Sequence, residues 1–167
     1  MKKLTLLALA LLLTGCGGDS SSEETSVLQE IFTVDETNWA INLPESWKKV
    51  PAPKTSFNIM FLAYKGSENF VVMKSPNVSE DVVGSVRVNA QKDFHSYHEK
   101  SATETTLRFE GKTDPTASTR EFIQKIYVLP DRSAFLIGSC SLPVQSDVND
   151  QDCLSILDSW EISVDKK

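Results

Sequence analysis

Very little in this sequence points to chemistry. Its 167 residues include two histidines and three cysteines, and 17 basic residues face 23 acidic ones with no run of Lys or Arg. Without a basic run the chain has nothing to neutralise phosphates, which argues against nucleic acid as a partner, and nothing to cluster against an anionic lipid surface. No phosphate-cradling glycine loop, EF-hand pattern, C-x-x-C pair or G-x-S-x-G elbow occurs, and no cofactor is implied. What is present is 40% hydrophobic residues, the composition of an ordinary globular domain.

Leu4 to Leu13 is an apolar run interrupted only by Thr5, too short to cross roughly 30 Å of hydrocarbon as a mature helix. Met1-Lys2-Lys3 precedes it and Leu13-Thr14-Gly15-Cys16 follows, the order of a signal peptide. The last four residues resemble the bacterial lipobox. That resemblance implies removal of residues 1–15 and a diacylglyceryl group, with its palmitate-type chains, on the Cys16 thiol. The alternative is an ordinary secretory signal with an incidental cysteine. Without Lys2 and Lys3, 15 basic residues face 23 acidic ones, a net charge of −8. Gly17 to Ser26 has no apolar residue, so residues 16–26 read as the lipidated cysteine and a flexible acidic tether. The expected location is the cell envelope, anchored by the lipid and facing periplasm or cell exterior. Gly17 after the cysteine implies the outer membrane if the host has two.

Residues 27–167 form one block of alternating patterns without internal repeats. Trp39 to Leu43 reads as a strand stopped by Pro44. Phe57 to Tyr64 and Phe70 to Ser75 flank a Lys65-to-Asn69 turn, as a hairpin would. Ser79 is placed to cap a helix of about twenty residues, with Val82, Val83, Val86, Ala90, Phe94 and Tyr97 on its apolar face. Gly84 weakens that helix unless it permits close packing on a sheet. A strand with one wet face follows from Thr103 to Glu110. Phe122 to Leu129 and Ala134 to Leu142 then form a second hairpin, and Ala134 to Ile137, apolar on both faces, should be a central strand. A last helix is expected over about Asp147 to Ser159. Hairpin-linked strands with two helices argue for an α+β sandwich with a mostly antiparallel sheet.

With Cys16 assigned to lipid, Cys140 and Cys153 remain as a pair. Cys140 shares a strand face with Leu136 and Leu142, and Cys153 lies on the buried stripe of the helix that follows. We expect a disulfide between them. Two buried thiols or a redox pair are the alternatives, although neither cysteine has a basic sequence neighbour to lower its pKa.

His95 and His98 stand three apart, a spacing that zinc sites use on helices. At 100° per residue they fall roughly 145° and 85° from the centre of the apolar stripe, facing solvent or the boundary, and no third ligand completes a site. Ser139 lies within a strand and lacks the nucleophile elbow. Asn77-Val78-Ser79 matches a glycosylation triplet that the capping role of Ser79 already accounts for. Trp39, Trp47 and Trp160 suit core packing better than a pocket. No catalytic or metal-binding set emerges.

Asn38-Trp39-Ala40-Ile41-Asn42-Leu43-Pro44-Glu45-Ser46-Trp47 resembles the opening strand and turn of the PsbP/Mog1-like α/β/α sandwich. The layout, with lipobox, polar tether, long central helix, late hairpin, Ser141-Leu142-Pro143 and the closing Ile156 to Ile162, is similar to bacterial DcrB-type lipoproteins. The resemblance implies that fold and an accessory or binding role without shared catalytic residues. The expected function is therefore a non-enzymatic, lipid-anchored envelope protein contacting another envelope component. The alternative is a small-ligand carrier with a pocket between helix and sheet. Cys16→Ala is expected to release the protein from membranes. Persistence of that variant in the membrane fraction after a carbonate wash would overturn the lipid anchor.

Overall fold

Val27–Val34 (β1) and Thr37–Pro44 (β2) open the computed structural model as an antiparallel hairpin; residues 26–53, 58–76, 78–144 and 150–162 are described. Its two-residue turn is Asp35-Glu36, with φ of 46° and 64°. Positive φ at both positions gives the turn the twist of its strands. Lys48–Lys49 (β3), Ile59–Lys65 (β4) and Glu68–Ser75 (β5) follow, and Gly66 (φ 58°) turns β4 into β5. Next come helix Val82–Asp93 (α1), then Ser96–Ala102 (β6), Thr106–Lys112 (β7), Arg120–Val128 (β8) and Phe135–Pro143 (β9). Helix Gln151–Asp158 (α2) and the short Glu161–Ile162 (β10) complete the described chain.

The strands make two sheets, a small one in the order β1-β2-β10 and a seven-stranded one in the order β3-β4-β5-β9-β8-β7-β6. Their pairings are antiparallel, so the expected α+β class with two helices and a mostly antiparallel sheet is the observed one. On one face of the large sheet, β2 and α2 enclose Trp39, Ile41, Phe70, Leu136, Cys140 and Ile156. On the other, α1 packs Val83, Val86 and Ala90 over Leu107, Phe109 and Phe122. The expectation for Ala134 to Ile137 holds. β9 is the middle strand, with Leu136 in the first cluster and Phe135 in the second.

Several boundaries differ from expectation. Helix α1 has twelve residues rather than about twenty, because Phe94 turns to extended backbone (φ −107°, ψ 133°) and Ser96 onward pairs with β7 as an edge strand. Over Phe94 to Tyr97 the apolar spacing fits either period, and pairing to β7 decides it. The helix cap is Asp81, whose Oδ1 accepts the Gly84 N–H at 2.7 Å. Ser79 instead donates to the Asp81 carbonyl at 2.7 Å. Gly84 is needed for that cap and not for sheet packing, since a β-carbon there would collide with the Asp81 carboxylate. The strand expected from Thr103 starts at Thr106, because the Thr103 hydroxyl accepts the Thr106 N–H at 3.1 Å and holds a turn. β1, β3, β6 and β10 were not anticipated as strands. Phe57, Asn77 and Asp147 lie outside the described residues, as do the leader, Cys16 and most of the tether.

Cys140 on β9 and Cys153 on α2 are disulfide-bonded, with Cα atoms 5.9 Å apart and a sequence separation of 13. Both are fully buried. The bond pins α2 to the central strand and shortens the loop that the unfolded chain could explore. Replacing both cysteines by alanine is expected to cost about 3 kcal/mol, read as a lower urea midpoint. An unchanged midpoint would show that packing alone holds α2.

Candidate functional site

The residues that looked capable of chemistry in the sequence are not brought together. His95 lies just past α1, with its backbone N–H on the Lys112 carbonyl at 2.9 Å. His98 is an exposed residue of β6 paired with Glu110, so the two imidazoles never share a helix face. Among the described residues no group of three or more His, Cys, Asp or Glu could hold a metal ion. Trp39 and Trp47 are buried in the cluster around α2, and Trp160 packs against it. A β-carbon on Gly138 would come within 2.8 Å of Trp160 Cζ3, so this glycine lets the indole approach β9 closely. The tryptophans therefore build the core.

The opposite face is where the surface opens. Helix α1 is too short to cover the whole sheet, and beside it a groove of about 390 Å³ runs over β5, β9 and β8. That volume is in the range of small-molecule sites. Its walls are Val86, Ala90 and Phe94 on the helix side and Val71, Met73 and Ile137 on the sheet side. At its floor the alternation of β8 places Gln124 between Phe122 and Ile126, and that of β9 places Ser139 and Ser141 beyond Ile137. Gln124, Ser139 and Ser141 are only 7%, 4% and 3% exposed.

These polar side chains are partly satisfied by one another. Gln124 Nε2 donates to Ser139 Oγ at 3.3 Å, while Gln124 Oε1 is buried without a hydrogen-bond partner. Beyond them, Arg120 Nε donates to Ser141 Oγ at 2.6 Å, and its Nη2 donates to the carbonyls of Ser67 at 2.6 Å and Ser141 at 2.8 Å. Burial holds the Arg120 guanidinium below its ordinary pKa, against a smaller opposing pull from Glu68. Ser139, with an amide beside its hydroxyl, has no base to make it a nucleophile.

Behind the groove, α1 is tied to β6 by a polar cluster. Arg87 Nε donates to Glu99 Oε2 at 2.7 Å, and the Tyr97 hydroxyl donates to the same oxygen at 2.9 Å. Burial above all, and then this bond to Glu99, pushes the Tyr97 phenol up to about 12. Glu99 is held below the usual carboxylate range, first by Tyr97 and also by Arg87, with desolvation opposing.

Sequence reasoning passed over Gln124, weighed Ser139 only as a nucleophile and gave Ser141 no site role. The available signal was a polar residue at an inward register position, Gln124 between Phe122 and Ile126, inside the strand expected over Phe122 to Leu129.

No protein-family model and no curated protein matches this chain. Solved structures similar to it include a Bacteroides thetaiotaomicron protein, 12% identical with a TM-score of 0.44, covering 77% of this chain and 46% of its own. This chain thus spans about half the length of that protein. The cyanobacterial PsbP protein CyanoP of Synechocystis sp. PCC 6803 is 12% identical with a TM-score of 0.49, covering 90% of this chain and 99% of its own. A Pseudomonas aeruginosa protein of unknown function is 14% identical with a TM-score of 0.35, covering 70% of this chain and 83% of its own. The α+β class rests on the elements and pairings described above.

The Tyr97 phenol carries a pH prediction. Its pKa is raised from an ordinary 10.0 to about 12. Its contribution to stability is therefore complete below about pH 10 and is lost as pH rises towards 12. Tyrosinate absorbance should show a phenol titrating near 12 that Tyr97→Phe removes. Loss of an earlier-titrating phenol instead would contradict the Glu99 contact.

Proposed function

We propose that this chain is a lipid-anchored, non-enzymatic binding module of the cell envelope, and that what it binds occupies the groove between α1 and the sheet. The observation that carries this reading is the groove itself, with a buried and unpartnered Gln124 Oε1 at its floor. A residue that lines a cavity and carries an unpartnered acceptor is a position where a ligand gains a hydrogen bond that the free protein lacks, once the side chain turns toward it. The disulfide is compatible with an extracytoplasmic protein. Among the described residues no helix is long and apolar enough to cross a membrane, and the attachment in this reading is the lipid on Cys16, supported by the lipobox-like Leu13-Thr14-Gly15-Cys16. Native mass spectrometry of the protein purified from its own membranes without denaturant tests it. A small-mass adduct is expected, and Ser139→Leu, which fills the floor, should remove it. Adduct-free protein, or an adduct unaffected by Ser139→Leu, would count against the groove.

A second reading, contact with another envelope protein, is supported by β1. This edge strand follows the tether directly, and it exposes Val27, Leu28 and Ile31 at 54%, 52% and 48%. A free edge with apolar side chains is a place where another chain can add a strand. In-cell photocrosslinking from position 31, with Cys16→Ala as the unanchored control, separates the readings. One reproducible partner lost in the control supports the second, and absence of any crosslinked protein argues against it.

A further inference from the structure

The floor of the groove also restricts what can bind, on the premise that the groove is the binding site. Three polar side chains line it in a row, and each is more than nine-tenths buried: Gln124, Ser139 and Ser141. Gln124 Oε1 is an acceptor without a partner. Ser139 Oγ accepts from Gln124 Nε2, and Ser141 Oγ accepts from Arg120 Nε. Each serine keeps its own hydroxyl hydrogen to give to a further acceptor. The floor therefore offers an acceptor and donors side by side, and all of them are dipoles.

Formal charge around it is sparse, and the one guanidinium that touches it, Arg120, is already engaged. No lining residue is basic. Asp93 is exposed, at the rim. Arg120 lies past Ser141 with its Nε and Nη2 already bound to Ser141 and the Ser67 carbonyl. A charged head pressed onto this floor would lose its water in exchange for poor pairing, since Asp93 stays in solvent at the rim and Arg120 is already bound to Ser141 and the Ser67 carbonyl. A neutral head with a donor and an acceptor on neighbouring atoms would satisfy a serine hydroxyl and, with a turn of the Gln124 side chain toward the groove, Gln124 Oε1 together. Phe122, Phe135, Met73 and Val86 around it would bury an apolar body.

We propose that the groove binds small uncharged amphipathic molecules, a compact apolar body bearing a carboxamide or hydroxyl head, and discriminates against the corresponding ions. The test is an NMR titration of the ¹⁵N-labelled protein with five probes sharing one body: phenylacetamide, 2-phenylethanol, 2-phenylethylammonium, phenylacetate and headless ethylbenzene. The two neutral polar probes should shift the amides around Gln124 and Ser139 and bind at least about ten-fold more tightly than either ion. Gln124→Leu should weaken phenylacetamide about ten-fold while leaving ethylbenzene bound. Ser139→Ala, which removes one hydroxyl without adding bulk, should weaken phenylacetamide in the same direction.

The proposal is overturned if either ion matches phenylacetamide, or if both variants bind phenylacetamide as the parent does. In those cases ethylbenzene still perturbing the groove would leave the binding site standing without this selectivity. If none of the five perturbs it, ethylbenzene included, the groove as a binding site falls as well.

Discussion

Burial of β9 on both faces is the constraint from which the rest of the molecule follows. Its residues alternate between two separate cores, Leu136, Cys140 and Leu142 into one and Phe135 into the other. It pairs along nearly its whole length with β5 on one edge and β8 on the other. A strand without a wet face needs a layer on each side, so the sheet must be covered by α1 on one face and by β2 and α2 on the other. Two local devices secure the second layer. The disulfide fixes α2 to β9, and the missing side chain at Gly138 allows Trp160 to approach the same strand.

The two layers are unequal. On the α2 side, the small sheet and the aromatic cluster of Phe32, Trp39, Phe61 and Trp160 fill the space. On the other side, α1, a single helix of twelve residues, faces a seven-stranded sheet. The helix ends where Phe94 turns away to pack edge-on against Phe109 and Phe122, at ring separations of 5.1 and 4.7 Å. Its position over β6 to β8 is secured by Arg87, Glu99 and Tyr97, on the side away from the groove. The thinly covered strip over β5 and β9 is thus a consequence of where the helix stops.

The elements legible in the sequence were those with strand-length runs and clear turn residues between them. Phe122 to Leu129 and Ala134 to Leu142 flank a turn-forming Pro130-Asp131, and Cys140 and Cys153 fall on buried faces of adjacent elements. Phe94 to Tyr97 was misread because one spacing satisfies helix and strand alike. The apolar face was nevertheless right, since Tyr97 packs on Phe109 from its place in β6 at 4.9 Å. Ser79 and Asp81 are both plausible caps by type, and only the bond to Gly84 N–H distinguishes them. The candidate site was least legible of all. It depends on where a helix stops short of a sheet, a tertiary fact that no local pattern carries.

What separates the groove floor from an ordinary packing imperfection is its place beside a cavity. Trp39 Nε1 is also buried without a partner, but Trp39 is wholly enclosed, edge-on to Tyr127 at 4.7 Å and beside Trp160 at 5.7 Å. No ligand can reach that indole, and its bare N–H is a simple cost of filling the core. Gln124 bears the same kind of cost, about 1–3 kcal/mol for a buried unsatisfied group, in a side chain that lines a cavity. Folded domains have net stabilities of only about 5–15 kcal/mol, and an apolar side chain at position 124 would continue the pattern of Phe122 and Ile126 without that loss. A sequence breaking its own inward alternation at Gln124, Ser139 and Ser141, on adjacent strands and beneath one opening, does so where a bound molecule can supply what the free protein leaves unmade.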